Sequence, residues 1–563
     1  MIRSRAAGEY FAACLILILT GAALLRGLFP TADPPWNPSV GVVWHDEGAW
    51  VHNARNKALF GAWRLDNWNP VYVAPVFTGA EYLSFSAFGV GVWQARLVSI
   101  VAGFASVVLL ALGVRRIGGN FAGLIAAGLL ATNYVYVMYN RAAIMEALMT
   151  AFIVGAWYCS TRATRVPIWG AAAGLMATLA FFTKAAAAFY VGALVLSAVA
   201  RLLPIPPKGG SYRAAVWTLA GLAISFAIVG AVFVLPNWTD YQFYNWQMSV
   251  TRKPSYDVAS VITRLSWFPI VHDTFSRMWL ALALGLFGAW GVAARWREES
   301  DGGRLLLLWV AVGSLELLIH DVGNERRFVF LIPALIALAS IVLARGTLLP
   351  PAAAALSRRR LLLFSPLLLY SAYVVLGPLT RVPFLDDVYA HVLRWPVRLA
   401  AAGAVAVTAA LIATWPNRAV TSVAWKPGIA VTILVVAVTW NAGQFVHWAA
   451  TRTYENYEAS VAIGRALPPG TLVQGKLANG LALENRIRPI FIGHGFGNYA
   501  DRKDRWDVRY ILTYTDPGIG HEGDQINDVL AAYPGWRIIM TFDVAETPSG
   551  HDTAALIEKR ARD

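Results

Sequence analysis

The residues best suited to chemistry are carboxylates that stand close to long apolar runs. Asp46 and Glu47 are adjacent, precede Gly48, and lie about fifteen residues beyond the first such run. Glu146 falls about one turn inside a later run that is long enough to cross a membrane. An acid at that depth costs on the order of 2.5–3.5 kcal/mol on insertion scales, which marks it as a candidate functional residue. Since a positioned carboxylate can remove a proton from a nucleophile, we expect general-base chemistry here.

Basic residues accompany these acids. Lys184 lies between two apolar runs, at a junction predicted to be on the same side of the membrane as Asp46. Arg326 and Arg327 break the pattern of positive charge followed by the other connections, because their junction is predicted to face outward. Arginine suits phosphate, since its planar fork can donate two parallel hydrogen bonds. The misplaced arginines therefore indicate an anionic ligand.

Each of these residues also has a purely structural interpretation. A lysine at a helix end can extend its ammonium group to the interface, and Glu146 can simply pair with Arg141 at the start of its helix. Together, however, Asp46, Glu146, Lys184 and Arg327 form a set in which cations hold a lipid phosphate while a carboxylate activates a nucleophile. That set suits transfer of a group from a lipid-phosphate donor.

The composition predicts a polytopic α-helical membrane protein. The chain has 563 residues, of which 57% are apolar and 14% charged, whereas soluble domains carry roughly 25% charged residues. Its apolar blocks are long enough to span a ~30 Å hydrocarbon core. The net charge is +14, and the basic residues lie at alternate ends of the apolar blocks. This placement indicates a positive-inside topology and attraction to anionic lipid rather than nucleic-acid binding. Cys14 and Cys159 fall in predicted spans, so neither a disulfide framework nor a cysteine metal cluster is expected.

About thirteen spans are predicted, with a retained first helix, a cytoplasmic N-terminus and a cell (inner or plasma) membrane location. Arginine-rich connections then share the cytoplasmic side, and the long loops 30–87 and 236–276 lie outside. The predicted spans are 9–29, 88–113, 119–139, 143–160, 167–184, 186–202, 214–235, 277–294, 305–320, 328–345, 361–377, 397–414 and 427–446.

The chain divides into a transmembrane domain over 1–446 and a small extracytoplasmic α/β domain over 447–563. In the second part charges become frequent and apolar runs shorten to strand length. Alternating short strands and helices predict a mixed α/β fold. The predicted strands are 471–474, 489–492, 508–514 and 536–542, and the predicted helices are 454–466, 477–485 and 525–533.

The sequence resembles the membrane-embedded C-type glycosyltransferases, specifically the group of protein O-mannosyltransferases and aminoarabinose transferases. The resemblance covers roughly residues 1–345. The stretches that carry it are Asp46-Glu47-Gly48, the segment 88–97, Arg141 to Glu146, Thr183-Lys184, and Arg327-Phe328 with Pro333. Two positions depart from the group: Val73-Ala74-Pro75 replaces its Glu-Lys-Pro element, and Ala185 replaces the glycine after the lysine.

The resemblance implies an enzyme that moves a monosaccharide from a polyprenyl-phosphate donor to an extracytoplasmic protein, lipid or glycan, with inversion at the sugar. Asp46 would be the general base and Glu146 its partner carboxylate, with Glu47 in support. Lys184 and Arg327, with Arg326, would hold the donor phosphate. Further donor or acceptor contacts are predicted at Arg141, Glu81, Arg55 and His272. No cofactor is required, although a divalent metal stays open as an alternative.

Two other functions remain open from the sequence. A transporter or flippase of lipid-linked sugars would also carry intramembrane ionisable residues, but it would be expected to show internal repeats, and none is evident. A different outer-face transferase, such as an O-antigen ligase or an oligosaccharyltransferase subunit, is the second alternative. The clustering of ionisable residues at one face favours an enzyme that acts on a lipid at the interface.

Overall fold

The computed structural model describes most of the chain in several stretches. These are residues 2–35, 44–202, 211–250, 257–267, 277–320, 325–345, 369, 372–373, 399–407, 427–490, 505, 507–515, 530–545 and 552–560. His272, predicted as a contact residue, lies outside them, as do most of the predicted span 361–377, half of the predicted span 397–414 and most of the predicted helix 525–533.

Long apolar runs fold as helices, because a helix satisfies its own backbone hydrogen bonds inside a membrane. In chain order the helices up to residue 250 are α1 (Ile2–Gly27), α2 (His45–Phe60), α3 (Pro75–Phe88), α4 (Val92–Thr132), α5 (Tyr134–Asn140), α6 (Met145–Ala163), α7 (Trp169–Thr183), α8 (Ala188–Leu202), α9 (Tyr212–Val229) and α10 (Trp238–Val250). Short 3₁₀ turns at Pro70–Tyr72 and Ala185–Ala187 and a π turn at Gly230–Val234 complete this part.

The helices that follow are α11 (Val258–Trp267), α12 (Trp279–Ala294), α13 (Asp301–His320), α14 (Ile332–Arg345), α15 (Pro427–Thr451), α16 (Glu455–Ala466) and α17 (Lys476–Gly480), with a 3₁₀ segment at Glu325–Leu331. Within the described residues, seven helices are long and apolar enough to cross a membrane, or eight if the bent pair α5–α6 counts as one span. Two shorter apolar helices lie at Trp169–Thr183 and Leu280–Ala293.

Helix α4 covers most of two predicted spans, which are joined at a tight turn. Gly119 there has φ of +85°, a conformation that glycine adopts without the steric cost of a side chain. The chain reverses at this point, and a Cβ on Gly123 would lie 2.9 Å from the Ala111 carbonyl oxygen. The two arms of α4 therefore pack closely against each other, as the predicted spans 88–113 and 119–139 require.

A five-stranded mixed sheet forms the C-terminal part of the chain. Its strands are β1 (Leu472–Gln474), β2 (Arg488–Ile490), β3 (Tyr510–Tyr514), β4 (Arg537–Val544) and β5 (Asp552–Glu558), in the order β2-β1-β3-β5-β4. Strand β1 pairs in parallel with β2 and β3, and β5 pairs antiparallel with β3 and β4. The four predicted strands each overlap one of β1–β4, whereas β5 was not predicted.

Candidate active site

Asp46 lies in the first turn of α2, where the positive end of the helix dipole stabilises a carboxylate. Its side chain is 19% exposed, compared with 5% for the neighbouring Glu47. The two adjacent acids therefore differ in access: Asp46 can meet a bound molecule, and Glu47 is buried in the protein.

Arg326 joins the two carboxylates that the sequence singled out. It forms an ion pair with Asp46, and its Nε lies 3.4 Å from Oε1 of Glu146. Lys184 pairs with the same Glu146 oxygen. Asp46, Arg326, Glu146 and Lys184 thus form one continuous cluster of alternating charge, which we call the charged cluster.

Helix ends bring the charged cluster together. Glu146 is in the first turn of α6, after a 114° bend between α5 and α6. Lys184 follows the end of α7 in an extended conformation, with φ of −159° and ψ of 124°. Arg326 lies in the 3₁₀ segment that leads into α14. Because each residue stands where an apolar helix begins or ends, the cluster lies at one end of the helical bundle.

Arg327 lies beside the charged cluster. It is half-buried. Its guanidinium group, like that of Arg326, is close enough to interact electrostatically with the Lys184 ammonium group. The family resemblance assigns the donor phosphate to Lys184 and Arg327, with Arg326. The described ion pairs with Asp46 and Glu146 belong to Arg326. The whole Arg326–Arg327 pair therefore belongs to the candidate site.

Glu47 holds three elements in place. Its two oxygens accept hydrogen bonds from Nε and Nη2 of Arg96 at 2.8 and 2.7 Å, and Oε1 also accepts from the backbone N–H of Ala143 at 2.7 Å. Arg96 is in α4, and Ala143 is in the bend before Glu146. Sequence reasoning missed Arg96 as a partner, although it is the arginine of the segment 88–97 that carried the family resemblance.

Arg141 does not pair with Glu146, so the helix-start ion pair considered from the sequence is not formed. Its Nη1 donates to the carbonyl oxygens of Leu25 and Arg26 at 3.0 and 2.9 Å, and its Nη2 donates to Phe29 at 2.8 Å. These carbonyls belong to the last turn of α1 and the residues just after it, where a cation also opposes the negative end of the helix dipole. Arg141 therefore fixes α1 against the α5–α6 bend.

Arg55 binds the C-terminal part of the chain. Its Nε donates to the Ala482 carbonyl at 3.0 Å, and its Nη2 donates to the Asn485 and Ile487 carbonyls at 3.0 and 2.9 Å. The side chain is fully buried in this contact. Arg55 thus ties α2, the helix that carries Asp46, to the segment before β2.

The start of α2 packs directly on α17. Trp44 belongs to the same apolar core as residues of β1, β3 and α17. A Cβ on Gly48 would lie 1.8 Å from the Asn479 carbonyl oxygen, and a Cβ on Gly480 would lie 2.9 Å from the Cα of His45. Only glycines permit this approach of the two backbones. The residues on both sides of Asp46 are therefore held by the C-terminal part.

Glu81 is an acid without a visible partner. It is fully buried in α3, and neither carboxyl oxygen has a hydrogen bond to any residue that the structure describes. Burial, with a smaller contribution from the nearby Glu47 carboxylate, raises the pKa of Glu81 well above its usual range. Glu81 therefore lies near Glu47 and outside the charged cluster.

Within the described part of the chain, no group of three or more His, Cys, Asp or Glu side chains could hold a metal ion.

Comparison with known proteins supports the resemblance seen in the sequence. Residues 73–234 match the family model described as dolichyl-phosphate-mannose-protein mannosyltransferase. This segment includes Glu146 and Lys184. Arg326 lies outside it and contacts it through Glu146, and Asp46, also outside, pairs with Arg326. A search of curated proteins found no significant match.

One solved structure shares the fold of this chain, and two others are similar at lower scores. The apo crystal structure of ArnT from Cupriavidus metallidurans is 16% identical, covers 98% of both chains and has a TM-score of 0.54. The same protein bound to undecaprenyl phosphate is 16% identical, covers 97% of both chains and has a TM-score of 0.47. AglB, an oligosaccharyltransferase from Archaeoglobus fulgidus, is 13% identical over 96% of this chain and 74% of its own, with a TM-score of 0.49. The predicted resemblance to the C-type glycosyltransferases is confirmed.

Proposed function

We propose that this protein is an integral-membrane glycosyltransferase that moves a monosaccharide from a polyprenyl-phosphate donor to an extracytoplasmic acceptor. The charged cluster is the observation that carries the proposal, because it places two carboxylates and two cations in contact at one end of the apolar helices. The description of the matching family names dolichyl-phosphate mannose, which is a donor of this class. The acceptor belongs to the protein, lipid or glycan class.

Asp46 is the general base in this proposal. It takes the proton of the acceptor hydroxyl while the acceptor oxygen forms a bond to the anomeric carbon. The bond between that carbon and the phosphate oxygen breaks at the same time, on the opposite face, so the sugar inverts and the lipid phosphate leaves as an anion. A positioned base typically contributes 10²–10⁴-fold to such a step. Asp46 suits this role because it is the more exposed of the two adjacent acids.

Lys184, Arg326 and Arg327 receive the departing phosphate. A lysine offers three N–H donors and an arginine five, so Lys184 and Arg326 keep free donors while they pair with carboxylates. Glu146 holds these two cations in position before the donor arrives, and it shares the binding of the acceptor. Stabilisation of charge that grows in the transition state is usually the largest contribution of such a site. No metal ion takes part in the proposed mechanism.

The membrane topology completes the proposal. The N-terminus is cytoplasmic, the charged cluster faces the outside of the plasma membrane, and the part 447–563 is an extracytoplasmic domain. Its contacts with Trp44, Gly48 and Arg55 suit a domain that fixes α2 and therefore Asp46 against the rest of the site.

Binding of the lipid product tests the phosphate site separately from catalysis. We expect the purified protein to bind a polyprenyl phosphate more tightly than the corresponding polyprenol. Lys184→Gln should lose about 10–100-fold in affinity for the phosphate, because a hydrogen bond to a charged group contributes roughly 1.5–3 kcal/mol.

Lys57→Gln is the matched control, since Lys57 lies on α2 and donates to the Gly61 carbonyl at 2.8 Å rather than to the charged cluster. Equal affinity of the wild-type protein for the phosphate and the alcohol would contradict the assignment, as would equal losses in the two variants.

A further inference from the structure

A cavity lined by several polar side chains lies away from the charged cluster. It has a volume of about 530 Å³ and opens between the reversal of α4, the C-terminal end of α6 with the turn after it, and the N-terminal end of α13. Its polar lining includes Arg115, Arg116, Arg165, Tyr158, Thr161 and Ser300. None of these residues takes part in the proposed transfer reaction.

The cavity is at the opposite end of the helices from the charged cluster. Glu146 begins α6 and the cavity residue Thr161 is near its end, so a rise of 1.5 Å per residue separates them by about 22 Å along the helix. Arg96, which anchors Glu47, and Arg115 are separated by about 28 Å along α4 in the same way. These lengths approach the ~30 Å hydrocarbon thickness of a bilayer. The cavity therefore lies close to the other membrane surface.

The cavity carries more positive than negative charge. In the described part of the chain, Arg115, Arg116 and Arg165 form no ion pair with a carboxylate; Arg115 stacks at 4.2 Å on the ring of Phe11. The one acid in the lining, Asp301, already pairs with Arg304 and lies 3.5 Å from Arg201. Three guanidinium groups therefore stand around the space without a compensating anion.

Apolar residues also line the cavity, and exposed apolar residues follow its lining segments in the chain. Leu112 and Ile117 line it beside the arginines. Phe121, Val166 and Ile168, which follow these lining segments closely in the chain, are 40%, 48% and 51% exposed. A ligand that fills the space and also satisfies these residues has an anionic head and a hydrocarbon tail.

We propose that this cavity binds the phosphate headgroup of an anionic membrane phospholipid on the face opposite the charged cluster. The three arginines bind the phosphate oxygens, and the acyl chains lie on the exposed apolar residues beside the cavity. The positive-inside bias by itself places arginines at the cytoplasmic end of many membrane helices. What sets these three apart is that α4, with Arg115 and Arg116, and the turn after α6, with Arg165, place them around one space of headgroup size, and such basic pockets between helices recognise anionic lipids.

Lipid binding to the full-length protein tests this site. Affinity for phosphatidylglycerol and for phosphatidylcholine is measured in neutral detergent for the wild-type protein, for Arg116→Gln/Arg165→Gln, and for Arg213→Gln/Arg297→Gln. The second pair removes two exposed arginines that do not line the cavity, so both variants lose the same charge. Thermal unfolding in detergent without added lipid establishes that both variants fold.

We expect the cavity variant to lose about 30-fold in affinity for phosphatidylglycerol, because each basic residue near an anionic lipid contributes roughly fivefold. The control pair should change it less than threefold, and phosphatidylcholine should bind weakly throughout. Equal losses in the two pairs would mean general attraction to the membrane surface and would overturn the proposal. Inorganic phosphate binding as tightly as phosphatidylglycerol would also overturn it, since the ligand would then be a soluble anion.

Discussion

Substitution of Gly48 by alanine tests whether the C-terminal part positions the proposed base. Gly48 lies in α2 two residues after Asp46, and α2 meets α17 backbone to backbone at this point. The added methyl carbon would lie 1.8 Å from the Asn479 carbonyl oxygen and 2.4 Å from its carbon. A backbone carbonyl cannot rotate away as a flexible side chain could, so one of the two helices must move.

The size of the movement follows from these distances. Restoring ordinary contact requires the separation to grow from 1.8 Å to at least 3.4 Å, a displacement of about 1.6 Å shared between the two helices. A misplacement of 1 Å at a reacting group can cost on the order of 10²-fold in rate. Overpacking of this kind typically lowers the free energy of unfolding by about 1–3 kcal/mol. We therefore expect about 100-fold slower transfer together with a lower Tm.

Gly79→Ala is the matched control. Gly79 lies inside α3, and a Cβ there would have nothing within 4 Å. Alanine at a helix interior is favoured over glycine by about 1 kcal/mol, so this variant should keep its activity and unfold at the same or a higher temperature. The assay is sugar transfer with thermal unfolding of the same preparations. If Gly48→Ala behaves like Gly79→Ala in both measurements, the proposed contact does not position Asp46.

Three further substitutions test the supporting contacts. Arg96→Gln breaks the buried bidentate pair with Glu47 and should lower the free energy of unfolding by about 3–5 kcal/mol in denaturant titrations; an unchanged midpoint would contradict the pairing. Arg55→Met removes the donors to carbonyls within 482–487 and should speed amide hydrogen exchange there, with a loss of ~1.5–3 kcal/mol; unchanged exchange would exclude the contact. Glu81→Gln tests pH dependence: the raised pKa means that the native state holds the proton more tightly, so wild-type stability falls as pH rises through that pKa. The wild-type Tm should therefore drop relative to the variant between pH 5 and pH 8, and parallel Tm curves would refute the assignment.

Local sequence signals were enough to place many of the described helices and strands and to single out Asp46, Glu146 and Lys184 as unusual charges. The apolar runs gave helices close to the predicted bounds, for example α7 at Trp169–Thr183 against 167–184, because each run must satisfy its backbone within the membrane. Glu146 and Lys184 stood out because a charge beside apolar residues is costly and needs a local reason. The structure places both in one ion pair.

Partners distant in the chain could not be predicted in the same way. Asp46 and Arg326 are 280 residues apart, and nothing in either stretch specifies the other. Whether Arg326 or Arg327 pairs with the carboxylates depends on how the short 3₁₀ segment is rotated about its axis, because that rotation sets the direction of each side chain. Arg141 lies only five residues from Glu146, which allows an ion pair between them, yet the α5–α6 bend turns Arg141 toward the end of α1.

The contact between α2 and the C-terminal part was also beyond sequence reasoning. In the sequence Gly48 stands out only as a neighbour of the acids, although a glycine at a helix start can signal close approach of another backbone. Identifying the approaching segment requires the fold, because Asn479 is more than 400 residues away. Strand β5 was missed because residues 552–558 contain acidic and small residues at positions where a buried strand usually carries β-branched ones.

The central claim is that Asp46 performs base catalysis in transfer of a sugar from a lipid phosphate. The most direct measurement offers a panel of radiolabelled polyprenyl-phosphate monosaccharides, with crude envelope acceptors, to the purified wild-type protein and to Asp46→Asn in nanodiscs. We predict that the wild-type protein consumes one donor and that Asp46→Asn binds this donor with similar affinity while turning it over at least about 100-fold more slowly. Consumption of no donor by the wild-type protein, or undiminished turnover by Asp46→Asn, would contradict the claim.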